Sequence, residues 1–476
     1  MHLNSLPQEI LTNILEQAAL LESTECVTYT YGLSKAPLPL QEAKLTRYVR
    51  GPVSPDTLRW DSTASIRQVC SRWHEWALKY ALQDLHLRRW RGAEGWVELS
   101  GRRQMYHLYE LVDRLSDMAT YRPPFGFLTQ TATLFKNHPK ITENIRRLWF
   151  NGFYVAETDR LIFSTLRSCR NLTSISIPWT LLRRGSAEDW THLLGIADAN
   201  DMPVTSLELQ AFEPHRPSST ARPRVNFQHL KRFKIFGNTT FKPINDEDLA
   251  IIARTATNLE EFHISCLSTV SIEGVMAIVK ASQSTIRVLE HAPRSENGFF
   301  HANPGTLQSG EHICEILTGC PRLKDLSISV PSMCIDLFSN DEVRWQGDCQ
   351  VRALHLCDHS HSHTAKGADA KQRKLDNLRR LLNQARNLIA HRQRVRGQLA
   401  IELFFADCIF DPRDCVVHGD FALPQISSGG SWPATKTSSS KGPYGTTGLY
   451  GKDEGNWEIV SEDEYLRAVE KGWIRL

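Results

Sequence analysis

One short phrase recurs along the chain and restricts what it can fold into. It has an apolar residue, two variable positions, an apolar residue, one variable position and a third apolar residue. It reads "IRRLWF" from Ile145, "LTSISI" from Leu172, "VTSLEL" from Val204, "LKRFKI" from Leu230 and "LEEFHI" from Leu259. It continues with "IRVLEH" from Ile286, which departs from the pattern at His291, then "LKDLSI" from Leu323, "VRALHL" from Val351 and "AIELFF" from Ala400. The starts are 27, 32, 26, 29, 27, 37, 28 and 49 residues apart. Alternation inside the phrase is that of a strand with one buried face. Ahead of several copies, apolar residues fall at helical spacing: Leu249, Ile252, Ala253 and Ala256 before Leu259, and Ile313, Ile316, Leu317 and Cys320 before Leu323. Ile162, Leu166 and Cys169 precede Leu172 in the same way, with Thr165 in the remaining place. Spacings of three, four and seven put such side chains on one face of a helix. Each unit is therefore expected to be a helix followed by a strand. Neither buries its apolar face alone, so the units must stack into an α/β array with a curved parallel sheet. A generic α/β domain is the alternative.

The period lies near that of leucine-rich repeats. Over roughly residues 140–410 the chain resembles their cysteine-containing class in a degenerate form, with Ile, Val or Phe often replacing leucine. The phrases "SCRNLTSI" and "GCPRLKDL" put a cysteine at the same phase, where a small apolar side chain closes the helix against the next strand.

Two amphipathic stretches stand ahead of the array. In "SLPQEILTNILEQA", Ser5 and Gln8 have capping-box spacing, Pro7 sits where a first-turn proline is tolerated, and Ile10, Leu11, Ile14, Leu15 and Ala18 form one apolar stripe. In "SIRQVCSRWHEWALKYAL", Ile66, Val69, Cys70, Trp73 and Ala77 do the same, with Trp76 on the flank. A helix pair that caps the array is one reading. Leu6, Pro7, Glu9, Ile10, Leu11, Ile14 and Leu15, followed by Val69, Cys70, Arg72 and Trp73, also resemble an F-box, with its Leu-Pro-x-Glu-Ile-Leu start and Val-Cys-x-x-Trp finish. The chain departs from that family in a long connection at about 22–62, rich in Pro and Gly and read as a surface loop. The resemblance implies binding rather than catalysis. The F-box would dock the small adaptor subunit of a cullin-based ubiquitin ligase, and through it the cullin, while the repeats capture a protein substrate. The partner-binding residues it implies are Leu6, Pro7, Glu9, Ile10, Leu11, Ile14, Leu15, Val69, Cys70 and Trp73.

Composition fits that assignment without adding to it. Hydrophobic residues are 41% and charged residues 23%, as in globular chains, and a net charge of +3 gives no reason to expect a nucleic-acid partner. No apolar run is long enough to span a bilayer, and Glu9 and Glu16 in the first twenty residues speak against a secretory signal. Eleven cysteines without CxxC pairs read as reduced thiols in a cytoplasmic or nuclear protein, so no disulfide framework, metal or cofactor is expected.

Other signals have simpler explanations. "VVHGDFALPQ" at Val416–Gln425 has the His-Gly-Asp of small-molecule kinase catalytic loops, and a phosphotransferase using His418 and Asp420 is a distant alternative. It lacks the asparagine, acidic motif and phosphate loop that phosphoryl transfer needs together. "DHSHSH" at Asp358–His363 reads as a solvated loop in preference to a metal site. The stretch from Lys366 carries ten Lys/Arg against two Asp, and Leu375, Leu378, Leu382, Leu388 and Ile389 lie mostly on one face, so a long helix with a basic outer surface is expected. The expected organisation is an F-box module at 1–90, a helical connection at 91–140, the repeat array at 141–410, and a linker with a C-terminal capping helix at 411–476.

Overall fold

The computed structural model describes residues 5–26, 29–30, 49–50, 63–88, 111–113, 118–120, 126–151, 156–194, 204–211, 225–237, 244–265, 270–292, 307–357, 368–395, 399–405, 409–410, 417–418, 458–459 and 474–475. The chain divides into two units: Met1–Tyr29, Pro39–Gln210 and Ser218–His229 form the first, and Thr30–Leu38, Ala211–Pro217 and Leu230–Leu476 the second. The division falls inside the stretch expected to be one array.

The first unit opens with helices α1 (Gln8–Cys26) and α2 (Ser71–Ala81), and a short 3-10 turn at Ile66–Gln68 precedes α2. α1 runs on past Glu22, into the segment read as an inserted loop. Four parallel strands follow in sequence order: β1 (Asp84–Arg88), β2 (Arg147–Asn151), β3 (Ser174–Pro178) and β4 (Ser206–Ala211). Within 91–140, expected to be a helical connection, Leu111–Asp113 and Met118–Thr120 pair antiparallel, and helix α3 follows at Gly126–Asn137. α4 (Ala156–Arg167) precedes β3, and α5 (Ala187–Leu194) precedes β4. Ile162, Thr165, Leu166 and Cys169 are all buried, as the helix-to-strand offset requires; the Thr165 hydroxyl is satisfied by donating to the Leu161 carbonyl at 2.7 Å. Trp190 on α5 is 1% exposed, donates to the Leu181 carbonyl at 3.2 Å and meets Phe163 edge-on at 5.7 Å.

The second unit carries six parallel strands: β5 (Arg232–Gly237), β6 (Glu261–Ser265), β7 (Val288–Ala292), β8 (Asp325–Cys334), β9 (Gly347–Cys357) and β10 (Leu399–Phe405). Helices α6 (Asp246–Ala253), α7 (Ile272–Ala281), α8 (Ile313–Thr318) and α9 (Ala368–Arg394) each precede a strand. Asn245 opens α6 with a capping box: its side chain accepts from the Asp248 amide at 3.1 Å, and the Asp248 carboxylate accepts from the Asn245 amide at 3.1 Å. Ser282, fully buried, stitches consecutive turns by donating to the Ala256 carbonyl at 2.6 Å and accepting from the Leu259 amide at 3.2 Å.

In both units strand alternation separates two faces. Leu148, Phe150, Ile175, Ile177, Leu207 and Leu209 form the core side in the first; Phe233, Ile235, Phe262, Ile264, Leu289, Leu326 and Ile328 form it in the second. His291 takes a core position at 2% exposure, in register with Ile264. The register follows the sequence phrase up to β8. It then slips: the phrase matches Ser327 with His355, but Ser327 pairs with Gln350 and His355 with Ser332. β8 and β9 are long and apolar at many positions, so the pattern fits them at more than one phase. On α9, among the described side chains, Leu381, Ala385 and Leu388 are buried and Ile389 is half-buried; the side chains of Leu375, Leu378 and Leu382 lie outside the described residues. Asp358–His363, Asp420, Gln425 and the expected C-terminal helix lie outside the described residues, and of the kinase-like motif only Val417–His418 is described, paired with Glu458–Ile459. Among the described residues no helix is long and apolar enough to cross a membrane.

Candidate functional site

α1 and α2 pack through a small core of Leu11, Leu15, Ala19, Ile66 and Ala77, bordered by Trp73, Trp76 and Tyr80. Their N-terminal ends are tied by Arg72, whose Nε and terminal nitrogen donate to Gln8 Oε1 at 2.9 and 2.5 Å. Gln8, expected in a capping box with Ser5, thus spends its side-chain carbonyl on the neighbouring helix. The Pro7 carbonyl accepts the first helical bond, from the Leu11 amide, at 3.0 Å. Trp76 stacks on Tyr80 with ring centroids 5.0 Å apart. α2 leads directly into β1, where the Gln83 carbonyl receives the Arg146 and Arg147 amides and Asp84 pairs with the Arg147 guanidinium. Burial foremost, with the Asp84 charge adding to it, raises the Tyr80 phenol above its ordinary range.

The apolar stripe read along α1 is divided by this packing. Leu11 and Leu15 are 1% and 2% exposed and belong to the internal core, whereas Ile10 and Ile14 are 49% and 39% exposed. Ile10, Ile14 and Leu21 lie within about 40° of one another around the helix axis, so α1 carries a second apolar line, which is exposed. Six of the eight large apolar side chains most exposed among the described residues are in this helix pair: Ile10, Ile14, Leu20, Leu21, Val69 and Leu78. Such concentration, rather than scatter, makes the helix pair the candidate binding surface. Of the other residues singled out in the sequence, Pro7 and Glu9 are exposed, and Leu6, Cys70 and Trp73 are half-buried.

A second arrangement lies on the sheet face turned away from the helices. In the second unit Lys234, His263, Glu290 and Ser327 stand in register across four consecutive strands, all buried. His263 Nδ1 is 3.1 Å from Glu290 Oε2, its Nε2 is 3.5 Å from Glu261 Oε2, and Arg232 grips Glu261 with two bonds at 2.5 and 2.8 Å. The hydrogen bond from His263 chiefly, with Arg232, holds the Glu261 carboxyl down to about 2 against the cost of burial. Burial works against the protonated imidazole of His263, but the bonds to Glu261 and Glu290 outweigh it and raise its pKa. In the first unit Ser176 donates to Glu208 Oε1 and accepts from Gln210, both at 2.7 Å. His263 is engaged by Glu261 and Glu290, and Ser176 by Glu208 and Gln210. In the second unit the arrangement sets opposite charges side by side on the sheet face.

The exposed half of the α1 stripe was readable as apolar in the sequence, but which half faces outward was not. Leu20, Leu21 and Leu78 were missed, although their spacing from Ile10, Ile14 and Val69 was there to be read. No family model matches the chain, and no curated protein is similar to it.

Proposed function

We propose that this chain is the substrate-recognition subunit of a cullin-based, SCF-type ubiquitin ligase, with an F-box docking the adaptor and leucine-rich repeats holding a protein substrate. The observation that carries the reading is the pair of apolar lines on α1. One closes the helix pair on itself, and the other, Ile10 and Ile14 with Val69 beside α2, is exposed and would meet a second chain. A helix presenting residues spaced by four and seven to an apolar groove is a recurrent mode of recognition. Helix-strand units in register support the repeat assignment. The role is non-catalytic, needs no cofactor and suits the cytoplasm or nucleus. A second reading, a repeat scaffold outside any ligase, draws on the direct run of α2 into β1, which suits a cap on the sheet.

The test is reconstitution. Purified full chain, the ligase adaptor and its cullin are mixed and separated by size. The ligase reading predicts one complex of all three; a folded chain that elutes apart from the adaptor selects the scaffold.

A further inference from the structure

α8 is six residues long and is preceded by His312; the chain reverses at Gly319 and Cys320 and returns as β8, whose last residue is Cys334. This reversal brings the end of the strand back beside the start of the helix. The imidazole of His312 and the sulfurs of Cys314 and Cys334 all lie within 4.8 Å of one another. Cys314 and Cys334 are buried, and His312 is half-buried at the solvent side.

We propose that His312, Cys314 and Cys334 form a binding site for a thiophilic divalent cation, zinc above all, that clips the start of α8 to the end of β8. This inference goes beyond the proposed ligase role and stands independently of it. Two thiolates and an imidazole are a ligand set suited to tetrahedral zinc, and the neighbouring donors of such a site are about 3.5–3.8 Å apart. The fourth tetrahedral position falls to water or an exogenous ligand reaching in beside His312.

The surroundings support thiolate at this place. The Asp336 amide donates to Cys334 Sγ at 3.4 Å, and the Glu315 backbone hydrogen-bonds the Cys314 sulfur. Such bonds to the sulfurs orient and stabilise metal-bound thiolates. The Asp336 carboxylate, held by Arg380 at 2.6 Å and Gln384 at 3.3 Å, joins α9 to the same corner. Two other buried cysteines make the contrast. Cys169 and Cys320 donate to the helical carbonyls of Thr165 and Ile316, and burial pushes both thiols up to about 12. Cys314, buried as well, instead hydrogen-bonds with Cys334. Those two are packing residues; Cys314 and Cys334 face each other and an imidazole.

The experiment uses the full chain, reduced with a phosphine, freed of metal and titrated with cobalt(II) and then zinc. The expected result is a thiolate-to-cobalt charge-transfer band that saturates at one equivalent and is erased by zinc. Cys314→Ser and Cys334→Ser should each weaken cobalt binding by more than about 10-fold, while Cys169→Ser, away from the cluster, leaves it unchanged. An arm that needs no variant alkylates the wild-type chain with and without zinc and maps the labelled peptides. Protection of Cys314 and Cys334, with Cys70 still labelled, supports the site. Absence of a thiolate band in the folded, reduced chain overturns it, as does zinc protection that falls on other cysteines.

Discussion

α1 and α7 are both rich in large apolar side chains, yet they spend them differently. On α7, Ile272, Val275, Met276, Ile278 and Val279 are all buried, and even Gly274 is enclosed. A β-carbon there would overlap the Asp246 carboxylate and meet Leu249 Cδ1 at 3.1 Å and Asp246 Cα at 3.2 Å. Asp246 is itself fixed, accepting from the Ser271 amide at 2.8 Å and its hydroxyl at 2.6 Å. On α1, Leu11, Leu15 and Ala19 are used in the same way, but Ile10, Ile14, Leu20 and Leu21 are not. One helix is consumed by its own fold; the other keeps part of its apolar surface in reserve. Burial of apolar area is the main favourable term in folding and in association alike, so an uncovered line is a driving force that folding leaves over for association.

The comparison can be broken at either helix or in the sheet beside α7. The largest expected effect is in that sheet. Phe262, fully buried and stacked on Phe233 with centroids 6.0 Å apart, should cost about 3–5 kcal/mol when cut to alanine, read from urea denaturation. Leu15→Ala on the inner line of α1 should follow at roughly 2–5 kcal/mol by the same measurement. Gly274→Ala should cost about 1–3 kcal/mol, because α6 and α7 must separate to admit one methyl group; a neutral result would show that their contact is loose.

A smaller effect is expected from acid. The Glu261 carboxyl is lowered from 4.5 to about 2 by His263 and Arg232. Its contribution is therefore complete above pH 4.5 and is lost as the pH falls towards 2. His263, raised from 6.5, contributes fully below that value and loses its share as the pH rises through the raised one. Glu261→Gln should make the acid limb of a urea-midpoint profile shallower than in the wild type; parallel limbs would show that the carboxylate is not held. Smallest of all, Ile14→Ala on the outer line should change stability by no more than about 0.5 kcal/mol.

Much of this was legible in the chain. The nine phrases fall on nine of the ten parallel strands, because alternation with a fixed helix offset survives the loss of the leucines. The missing strand, β1, carries the same phrase as "LQDLHL" from Leu82, hidden because no neighbouring copy lies within a repeat length. The slip at β9 arises because its apolar residues offer two frames, Cys349, Val351 and Ala353 at one parity and Leu354 and Leu356 at the other. Sequence could not divide the α1 stripe, because Ile10, Leu11, Ile14 and Leu15 form adjacent lines and only the position of α2 decides which is inner. Nor could it find the His312 cluster: Cys334 lies twenty residues from Cys314, and only the reversal of β8 along α8 brings them together.

The central claim is that the outer line of α1 belongs to a partner. It is tested most directly by calorimetric titration of the ligase adaptor into the full chain and into an Ile10→Asp/Ile14→Asp variant, whose fold is checked by circular dichroism. The account predicts that the wild type binds, and that the double variant keeps the wild-type spectrum while its binding falls below detection. Equal binding by both chains, or none by the folded wild type, would contradict it.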